Sequence, residues 1–337
     1  MARGGSDYGA RPAPARAVAV SCGDPAGVGP ELAAAAWKEL GGALPFLWIG
    51  DPDHLPRGTS WAECRPEDAP AMAARALPVL PLRFGARARP GQLDPRNAPG
   101  VVQSIDTAVR LVAEGTCSAV CTLPIHKKAL QDGADFPFPG HTEYLAHLAG
   151  GAPVAMMLAS PELRVVPATI HIPLSEVPAG LSEARIEVAI RLTAGALRRD
   201  FGVEAPRIAV AGLNPHAGEG GNIGREEVEM IVPLLDRLRA QGFDLIGPLS
   251  ADTMFHPEAR RGYDAAVCMY HDQALIPIKT VDFAGGVNVT LGLPFARTSP
   301  DHGTALDIAG TGKADPTSFV NALLMAADMG ARRPAKA

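Results

Sequence analysis

Three features that are scarce in this chain narrow its function before any motif is considered. Aromatic residues make up only 5% of the 337 residues, so a platform of rings for stacking nucleic-acid bases is not expected. The formal net charge is −5 at pH 7, whereas surfaces that bind nucleic acid are basic. No apolar run reaches the ~18 residues that a membrane-spanning helix requires. We therefore expect a protein that binds neither nucleic acid nor a membrane.

Cysteine is scarce as well, and its pattern indicates a reducing compartment. The five cysteines are odd in number and irregular in spacing. Cys117 and Cys121 lie four positions apart, but no Cys/His partner pattern follows them, so no structural zinc is expected there. Residues 1–15 are interpreted as a loose tail, because they are rich in Gly, Ala, Pro and Arg and lack the apolar segment of a signal peptide. These features predict a cytoplasmic protein.

Hydrophobic residues, by contrast, are abundant and arranged in segments typical of an α/β protein. They make up 47% of the chain, and at roughly 150 residues per domain the length predicts two domains. Strand-like and helix-like segments alternate, which favours a mainly parallel sheet. Predicted strands cover 17–21, 45–50, 119–122, 154–158, 164–169 and 207–211, with irregular loops and short strands in 51–99. Predicted helices cover 99–114, 182–200, 225–241 and 316–329, with Gly330 just past the last one.

A glycine-rich turn, residues 22–31, joins the first predicted strand to a helix. It contains neither the G-x-G-x-x-G spacing of a Rossmann fold nor the G-x-x-x-x-G-K-[ST] spacing of a P-loop. Two interpretations remain open. The turn could hold a helix N-terminus near an anion, or it could be a plain connection between strand and helix.

The densest run of reactive side chains is the segment 270–307. Imidazole, carboxylate, ammonium, carboxamide and guanidinium groups alternate there with glycine and small apolar residues. Glycine allows backbone to approach a ligand closely, and a core strand could not satisfy so many polar groups. We interpret this segment as the wall of a site for an anionic small molecule, a metal and a second ligand.

Three histidines form a candidate metal site. His171, His216 and His271 each follow a predicted strand, and the carboxyl ends of parallel strands meet at one edge of a sheet. Three neutral imidazoles with an open position are typical of a catalytic divalent metal. The alternative is that each is a hydrogen-bonded structural histidine, and this role is assigned to His54, His147 and His256.

Taken together, these motifs resemble the 4-hydroxythreonine-4-phosphate dehydrogenase family of pyridoxal 5′-phosphate biosynthesis. The matching segments are 23–31, 140–143, 212–221, 251–253, 270–273, 286–294 and 297–299. The loop 302–310 is similar to the adenosine-binding loop of the wider isocitrate/isopropylmalate dehydrogenase superfamily, which binds its nicotinamide cofactor without the Rossmann fingerprint. The resemblance covers nearly the whole chain after the tail.

The resemblance implies a two-domain α/β/α fold with mainly parallel sheets. Residues 16–140 with 300–337 would form the first domain, and 141–299 the second, which would carry the metal ligands and dimer contacts. It also implies a homodimer with the active site at the subunit interface and a divalent metal (Zn, Mg or Co) on His171, His216 and His271. The implied substrate-binding residues are His141, Thr142, Lys279, Asn288 and Arg297. The implied binding residues for NAD or NADP are His302, Gly303 and Asp307.

The implied reaction oxidises the C3 hydroxyl of a small phosphorylated amino acid to a β-keto acid, which then loses CO₂. Asp252 or Asp272 would take the proton or orient the ligands, and the sequence leaves this choice open. Leu123 departs from the family, since a small residue is expected there, so another phosphorylated hydroxy acid or a cis-diol acid remains an alternative substrate. A phosphotransacetylase-like acyltransferase and a non-catalytic metabolite binder are the rival functions.

Overall fold

A computed structural model describes residues 15–333, which divide into two compact units. Among the described residues, unit 1 comprises 15–150 and 294–333, and unit 2 comprises 151–293. The unit boundaries thus follow Gly150 and Leu293, where the sequence predicted boundaries after residues 140 and 299. The predicted tail lies outside the described residues except for its last position.

Twelve strands make up the β structure of the described residues. They are β1 Val18–Ser21, β2 Phe46–Gly50, β3 Trp61–Glu63, β4 Leu77–Pro81, β5 Val120–Thr122, β6 Ala155–Ala159, β7 Arg164–Pro167, β8 Arg207–Ala211, β9 Asp244–Leu249, β10 Ala265–Cys268, β11 Val287–Leu291 and β12 Arg297–Pro300.

Eleven α-helices connect and cover these strands within the described part of the chain. They are α1 Gly29–Leu40, α2 Ala69–Met72, α3 Ala98–Ala113, α4 Lys127–Ala134, α5 His141–Leu148, α6 Val177–Gly180, α7 Glu183–Arg199, α8 Val232–Ala240, α9 Pro257–Arg260, α10 His271–Val281 and α11 Thr317–Arg332. Among residues 15–333, no helix combines the length and apolar character needed to cross a membrane.

The strands of unit 1 lie in the order β3-β4-β2-β1-β5-β12, and each neighbouring pair is parallel. β1 and β2 are buried along their whole length, which explains why their sequences are nearly continuous apolar runs. Phe46 of β2 packs edge-to-face against Phe319 of α11, with ring centroids 6.3 Å apart. The core of unit 1 therefore lies on both faces of a parallel sheet.

The strands of unit 2 lie in the order β11-β6-β7-β10-β8-β9. β7, β10, β8 and β9 are parallel to one another, whereas β6 runs antiparallel to both β11 and β7. Buried residues such as Val165, Ala266 and Ile278 join the parallel strands to α10. The predicted α/β class with mainly parallel sheets is confirmed, with one reversed strand in unit 2.

Two predicted helix boundaries are wrong. The last helix continues to Arg332, so Gly330 lies inside it. A Cβ atom at Gly330 would come 2.6 Å from the carbonyl oxygen of Ser118, so this glycine permits close packing instead of ending the helix. The predicted helix 225–241 begins with a π-helical turn, Glu227–Ile231, before α8.

Candidate active site

Four polar side chains of unit 2 follow the carboxyl ends of four neighbouring parallel strands. His171 follows β7, His271 follows β10, His216 follows β8 and Asp252 follows β9. Because these strands pair in that order and in one direction, all four side chains belong to one edge of the sheet. The expected position of the three histidines at strand ends is therefore confirmed.

His171 and His271 are direct neighbours at this edge. Their ring centroids lie 5.8 Å apart, and both rings line a cleft of about 230 Å³. Asp272 Oδ1 lies 2.7 Å from His271 Nδ1, and since a carboxylate oxygen accepts, Nδ1 donates the hydrogen bond. This bond fixes the tautomer of His271 and leaves its Nε2 to bind a ligand.

The backbone at two of the three histidines is strained. The φ angles of His171 and His216 are 54° and 51°, in the left-handed region that residues other than glycine rarely adopt. The strain at His216 extends to Ala217 and Glu219, whose φ angles are 50° and 43°. Such outliers cluster at functional sites, where the surrounding structure holds them in place.

Glu227 holds the His216 loop in place, and the sequence analysis missed it. This buried carboxylate accepts hydrogen bonds from the Asn214 backbone N–H at 2.7 Å and from Asn214 Nδ2 at 2.9 Å. A Cβ atom at Gly218 would come 2.6 Å from Glu227 Oε2, so glycine is required there. Glu227 lies in the predicted helix 225–241, and nothing in that sequence pattern signalled its burial.

Gln273 joins two of the ligand-bearing loops. Its Oε1 accepts a hydrogen bond from Met269 N, and its Nε2 donates one to Gly212 O, each at 2.7 Å. Met269 follows β10 and Gly212 follows β8, so one buried amide sets the spacing between the His271 and His216 segments. Gln273 belongs to the motif 270–273, but its sequence position did not indicate this bridging role.

The two candidate carboxylates differ in their surroundings. Asp252 is exposed, and its Oδ1 accepts a hydrogen bond from Ser250 Oγ at 2.5 Å. This bond, together with the nearby His216 imidazole, lowers the pKa of Asp252 below its usual value. Asp272 is instead bonded to His271.

His171, His216 and His271 are the candidate ligands for a metal ion. Within residues 15–333, no group of three or more His, Cys, Asp or Glu side chains surrounds a common point closely enough to hold one. Two imidazoles do adjoin, a third follows the neighbouring strand β8, and all three are donors that suit zinc and similar divalent cations. The donor types and their positions fit such a cation, although the three rings do not converge in this conformation.

Two further predicted substrate residues lie in unit 2. Lys279 is on α10, with its Nζ 5.6 Å from the ring centroid of Phe283. Asn288 is on β11, and its Oδ1 is shielded from solvent without a hydrogen-bond partner in the described part of the chain. A buried amide oxygen without a partner is costly, which is consistent with a missing ligand.

Two of the predicted substrate residues in unit 1, Arg297 and His141, are shielded from solvent and lie close to each other. Arg297, at the start of β12, is 2% exposed and donates from its Nη2 to Thr122 Oγ1 at 2.6 Å. Burial lowers the pKa of Arg297 to about 10, so it remains charged at neutral pH. Burial, with a smaller contribution from Arg297, holds the pKa of His141 well below its usual value, so that imidazole is neutral. Its Nε2 is shielded from solvent and has no hydrogen-bond partner within residues 15–333.

His141 and Thr142 are the first two residues of α5, whose N-cap is Gly140. The backbone N–H groups of a helix N-terminus favour an anion, and Arg297 adds a full positive charge. Unit 1 therefore offers a guanidinium, a neutral imidazole and helix N–H groups of the kind that bind phosphate.

The predicted cofactor loop packs on the glycine-rich turn of unit 1. Thr304 O accepts a hydrogen bond from Val28 N at 3.0 Å, and a Cβ atom at Gly27 would come 2.7 Å from that oxygen. Gly310 N donates to Glu31 Oε2 at 3.0 Å. The turn thus supports this loop, on which His302, Gly303 and Asp307 are exposed. Exposed polar groups on an anchored loop, with open space above Gly303, fit a bound nucleotide.

Leu123, the departure from the family pattern, is fully buried. A Cβ atom at Gly29 would lie 3.5 Å from Leu123 Cβ and 3.6 Å from Leu123 Cδ1. Leu123 therefore packs into the space that Gly29 leaves free at the start of α1. Its size is accommodated within the core of unit 1.

The fold is that of an α/β protein built from two compact units with mainly parallel strands, and comparison with known proteins identifies the family to which the chain belongs. The family described as pyridoxal phosphate biosynthetic protein PdxA matches residues 45–326, and the chain belongs to this family. A curated relative from Paracoccus denitrificans, named 4-hydroxythreonine-4-phosphate dehydrogenase, is 62% identical and covers 95% of this chain and 99% of its own.

Solved structures agree with this membership. The structure of a 4-hydroxythreonine-4-phosphate dehydrogenase from Klebsiella pneumoniae is 38% identical with a TM-score of 0.85, covering 94% of this chain and 98% of its own. A terephthalate 1,2-cis-dihydrodiol dehydrogenase from Burkholderia xenovorans is 28% identical with a TM-score of 0.65, covering 92% and 98%. These likenesses support an oxidoreductase with a role in pyridoxal phosphate biosynthesis.

Proposed function

We propose that this chain oxidises the C3 hydroxyl of 4-phosphohydroxy-L-threonine, with NAD⁺ or NADP⁺ as the hydride acceptor. The β-keto acid formed would lose CO₂ to give 3-amino-2-oxopropyl phosphate in cytoplasmic pyridoxal phosphate biosynthesis. The observation that carries this proposal is the set of His171, His271, His216 and Asp252 at the carboxyl ends of four adjacent parallel strands. The family membership supplies the substrate.

In this proposal the three histidines hold one divalent cation, Zn, Mg or Co. Such a cation lowers the pKa of bound water from ~15.7 to ~7, and it would act on a bound hydroxyl in the same direction. Asp272 fixes the tautomer of His271 and so presents Nε2 as a donor. Glu227 and Gln273 keep the His216 and His271 loops in position.

Asp252 is the proton acceptor in this scheme, and Asp272 is a positioning residue. Asp252 is ionised at neutral pH and lies near His216, so its carboxylate is placed to accept a proton from the substrate hydroxyl. Asp272 is already bonded to His271 Nδ1, which is the bond that orients the ring.

The anionic and polar groups of the substrate are bound by the remaining predicted residues. Arg297, His141 and Thr142 of unit 1 would bind phosphate through a guanidinium and helix N–H groups. Lys279 would balance a negative charge, and Asn288 would gain the partner that its Oδ1 lacks among the described residues. The exposed loop residues His302, Gly303 and Asp307 would bind the nicotinamide cofactor. We also propose a homodimer with the active site at the subunit interface.

The direct test is to incubate purified protein with 4-phosphohydroxy-L-threonine and each cofactor while recording NAD(P)H absorbance. We expect turnover that a chelator abolishes and a divalent metal restores. Absence of NAD(P)H formation with every metal would reject the proposal, and full activity of metal-free protein would reject the three-histidine site.

The variant His216→Ala separates a metal ligand from a structural histidine. It should lose bound metal and activity while its circular dichroism spectrum stays unchanged. His256→Asn is the matched control, because His256 accepts a hydrogen bond from Ala259 N at the start of α9 and asparagine can replace that cap. Retention of metal and rate in His216→Ala would assign His216 a structural role.

A second candidate substrate is a cis-diol acid, favoured by the likeness to the Burkholderia xenovorans dihydrodiol dehydrogenase. Leu123 does not strengthen this alternative, because its side chain packs against Gly29 in the core. The same assay with a cis-dihydrodiol carboxylate distinguishes the two. Turnover of this compound in preference to the phosphorylated amino acid would favour the alternative.

A further inference from the structure

Unit 1 contains a polar cleft to which the proposed reaction assigns no role. Its volume is about 640 Å³, and its wall is the segment Ala86–Arg96. The size falls within the roughly 300–1,000 Å³ typical of small-molecule sites. Three arginines line it, namely Arg87, Arg89 and Arg96.

Asp94 also lines the cleft, and its carboxylate interacts electrostatically with two of the three arginines, Arg96 and Arg89. Asp94 forms a bidentate pair with Arg96, with an Nη2–Oδ2 distance of 2.6 Å. In the part of the chain that the structure describes, Arg87 and Arg89 form no ion pair. The cleft therefore presents two guanidinium groups that an anionic ligand could neutralise.

The segment that carries these arginines is anchored rather than loose. Ala86 N donates to Asn97 Oδ1 at 2.9 Å, and Arg89 pairs with Gln92 in a β-bridge. Gly91 N donates to Ala26 O at 2.8 Å. Guanidinium groups on an anchored turn lose less backbone entropy on binding than groups on a free loop.

The same turn packs against the predicted cofactor loop. A Cβ atom at Gly91 would come 3.0 Å from Leu306 O, and one at Gly310 would come 2.7 Å from Pro90. Asp307, exposed on that loop, is the opposing charge closest in sequence to this contact. Glu31 Oε2 also accepts a hydrogen bond from Gly310 N at this contact, and the cleft arginines lie on the turn that forms it.

We propose that Arg87 and Arg89 bind the 2′-phosphate of NADP, so that this chain prefers NADP⁺ to NAD⁺. The inference rests on the proposed function in placing the cofactor adenosine on the loop 302–310. The 2′-phosphate is the group that distinguishes the two cofactors, and a phosphate monoester carries about −1.5 to −2 charges at pH 7. Two arginines match the geometry of a phosphate group better than two lysines would, because each guanidinium presents a planar set of N–H donors.

The test is calorimetric titration of the full chain with 2′,5′-ADP and with 5′-ADP at fixed ionic strength. We expect 2′,5′-ADP to bind at least tenfold more tightly. Arg87→Gln and Arg89→Gln should each reduce this preference, and the double variant should abolish it. Arg83→Gln is the control, since Arg83 is an exposed arginine just before the cleft segment that does not line the cleft.

Equal affinities for the two nucleotides, or a preference that survives in the double variant, would overturn the inference. Binding of inorganic pyrophosphate as tightly as 2′,5′-ADP would also overturn it, because the adenosine would then contribute nothing. The titration requires no turnover. A 2′-phosphate preference without substrate oxidation would therefore reject the proposed function alone, and turnover with equal affinities would reject only this inference.

Discussion

At the scale of single residues, Arg297 combines a buried charge with a fixed orientation. Its guanidinium is almost inaccessible to solvent and is directed by the hydrogen bond to Thr122 Oγ1. A planar guanidinium can donate two parallel hydrogen bonds to one phosphate, whereas an ammonium group acts as a point charge. The geometry of the side chain, and not its charge alone, should therefore determine substrate affinity.

Arg297→Lys tests this expectation. The KM for the phosphorylated substrate should rise about 10- to 100-fold, with a smaller change in kcat, because roughly 1.5–3 kcal/mol of charge-assisted hydrogen bonding is lost. Steady-state kinetics with the phosphorylated substrate measure the effect. Arg237→Lys is the control, since Arg237 forms an exposed ion pair with Glu183. An unchanged KM in Arg297→Lys would contradict the anion role.

Asp272 is a second residue whose effect should be measurable by itself. Asp272→Asn removes the carboxylate that orients His271, and loss of such a partner typically costs 10- to 100-fold in metal affinity. We expect a corresponding weakening of zinc binding in titrations of the metal-free protein. Asp252→Asn should instead leave zinc binding nearly intact and lower kcat. The reverse pattern would exchange the roles of the two carboxylates.

At the scale of elements, the loop that carries His216 depends on the π-helical turn beneath it. Glu227, the first residue of that turn, accepts hydrogen bonds from the backbone N–H and from Nδ2 of Asn214, and Nδ2 also donates to Glu226 Oε2. Glu227→Ala would leave the Asn214 backbone N–H without its acceptor, at a cost of about 1–3 kcal/mol if it stays buried, while Nδ2 keeps its bond to Glu226. We expect a lower urea midpoint and weaker zinc binding.

The exposed variant Glu229→Ala is the matched control, because Glu229 lies in the same turn and pairs only with Arg225 at the surface. Equal stability of the Glu227 and Glu229 variants would show that the Asn214 contacts do not hold the loop.

The elements also show which parts of the structure were predictable. Buried parallel strands such as β1, β2 and β8 are short apolar runs with turn residues after them, so their positions followed from the sequence. The reversed direction of β6 did not, because an apolar run has the same pattern in either direction. The burial of Glu227 and the bridging role of Gln273 arise from contacts distant along the chain, which periodicity does not report. The same is true of the way Leu123 fills the space beside Gly29.

At the scale of the whole molecule, two partly buried histidines should make stability depend on pH. Burial lowers the pKa of His54 and, more strongly, that of His141 below the usual 6.5. As the pH falls through 6.5, both histidines become protonated in the unfolded chain, whereas in the folded state they remain neutral to lower pH. The free energy of unfolding should therefore decrease from about pH 7.5 to pH 5.5.

Urea denaturation at several pH values measures this slope. The double variant His54→Gln/His141→Gln should show a flatter dependence over the same range, because neither glutamine titrates. His302→Gln, which replaces an exposed histidine, should leave the slope as it is in the unaltered chain. A slope that is identical in all three proteins would assign the acid sensitivity to other groups.

The chain enters unit 1, leaves it after Gly150 and returns at Pro294, so that β5 and its parallel neighbour β12 are separated by the whole of unit 2. During synthesis, every residue of unit 2 is added to the chain before β12 and α11. Unit 2 can therefore fold as a continuous segment while the sheet of unit 1 still lacks its last strand. A truncation before residue 294 would remove Arg297 together with that strand, so the arginine proposed to bind phosphate joins the protein only with the strand that completes the sheet of unit 1.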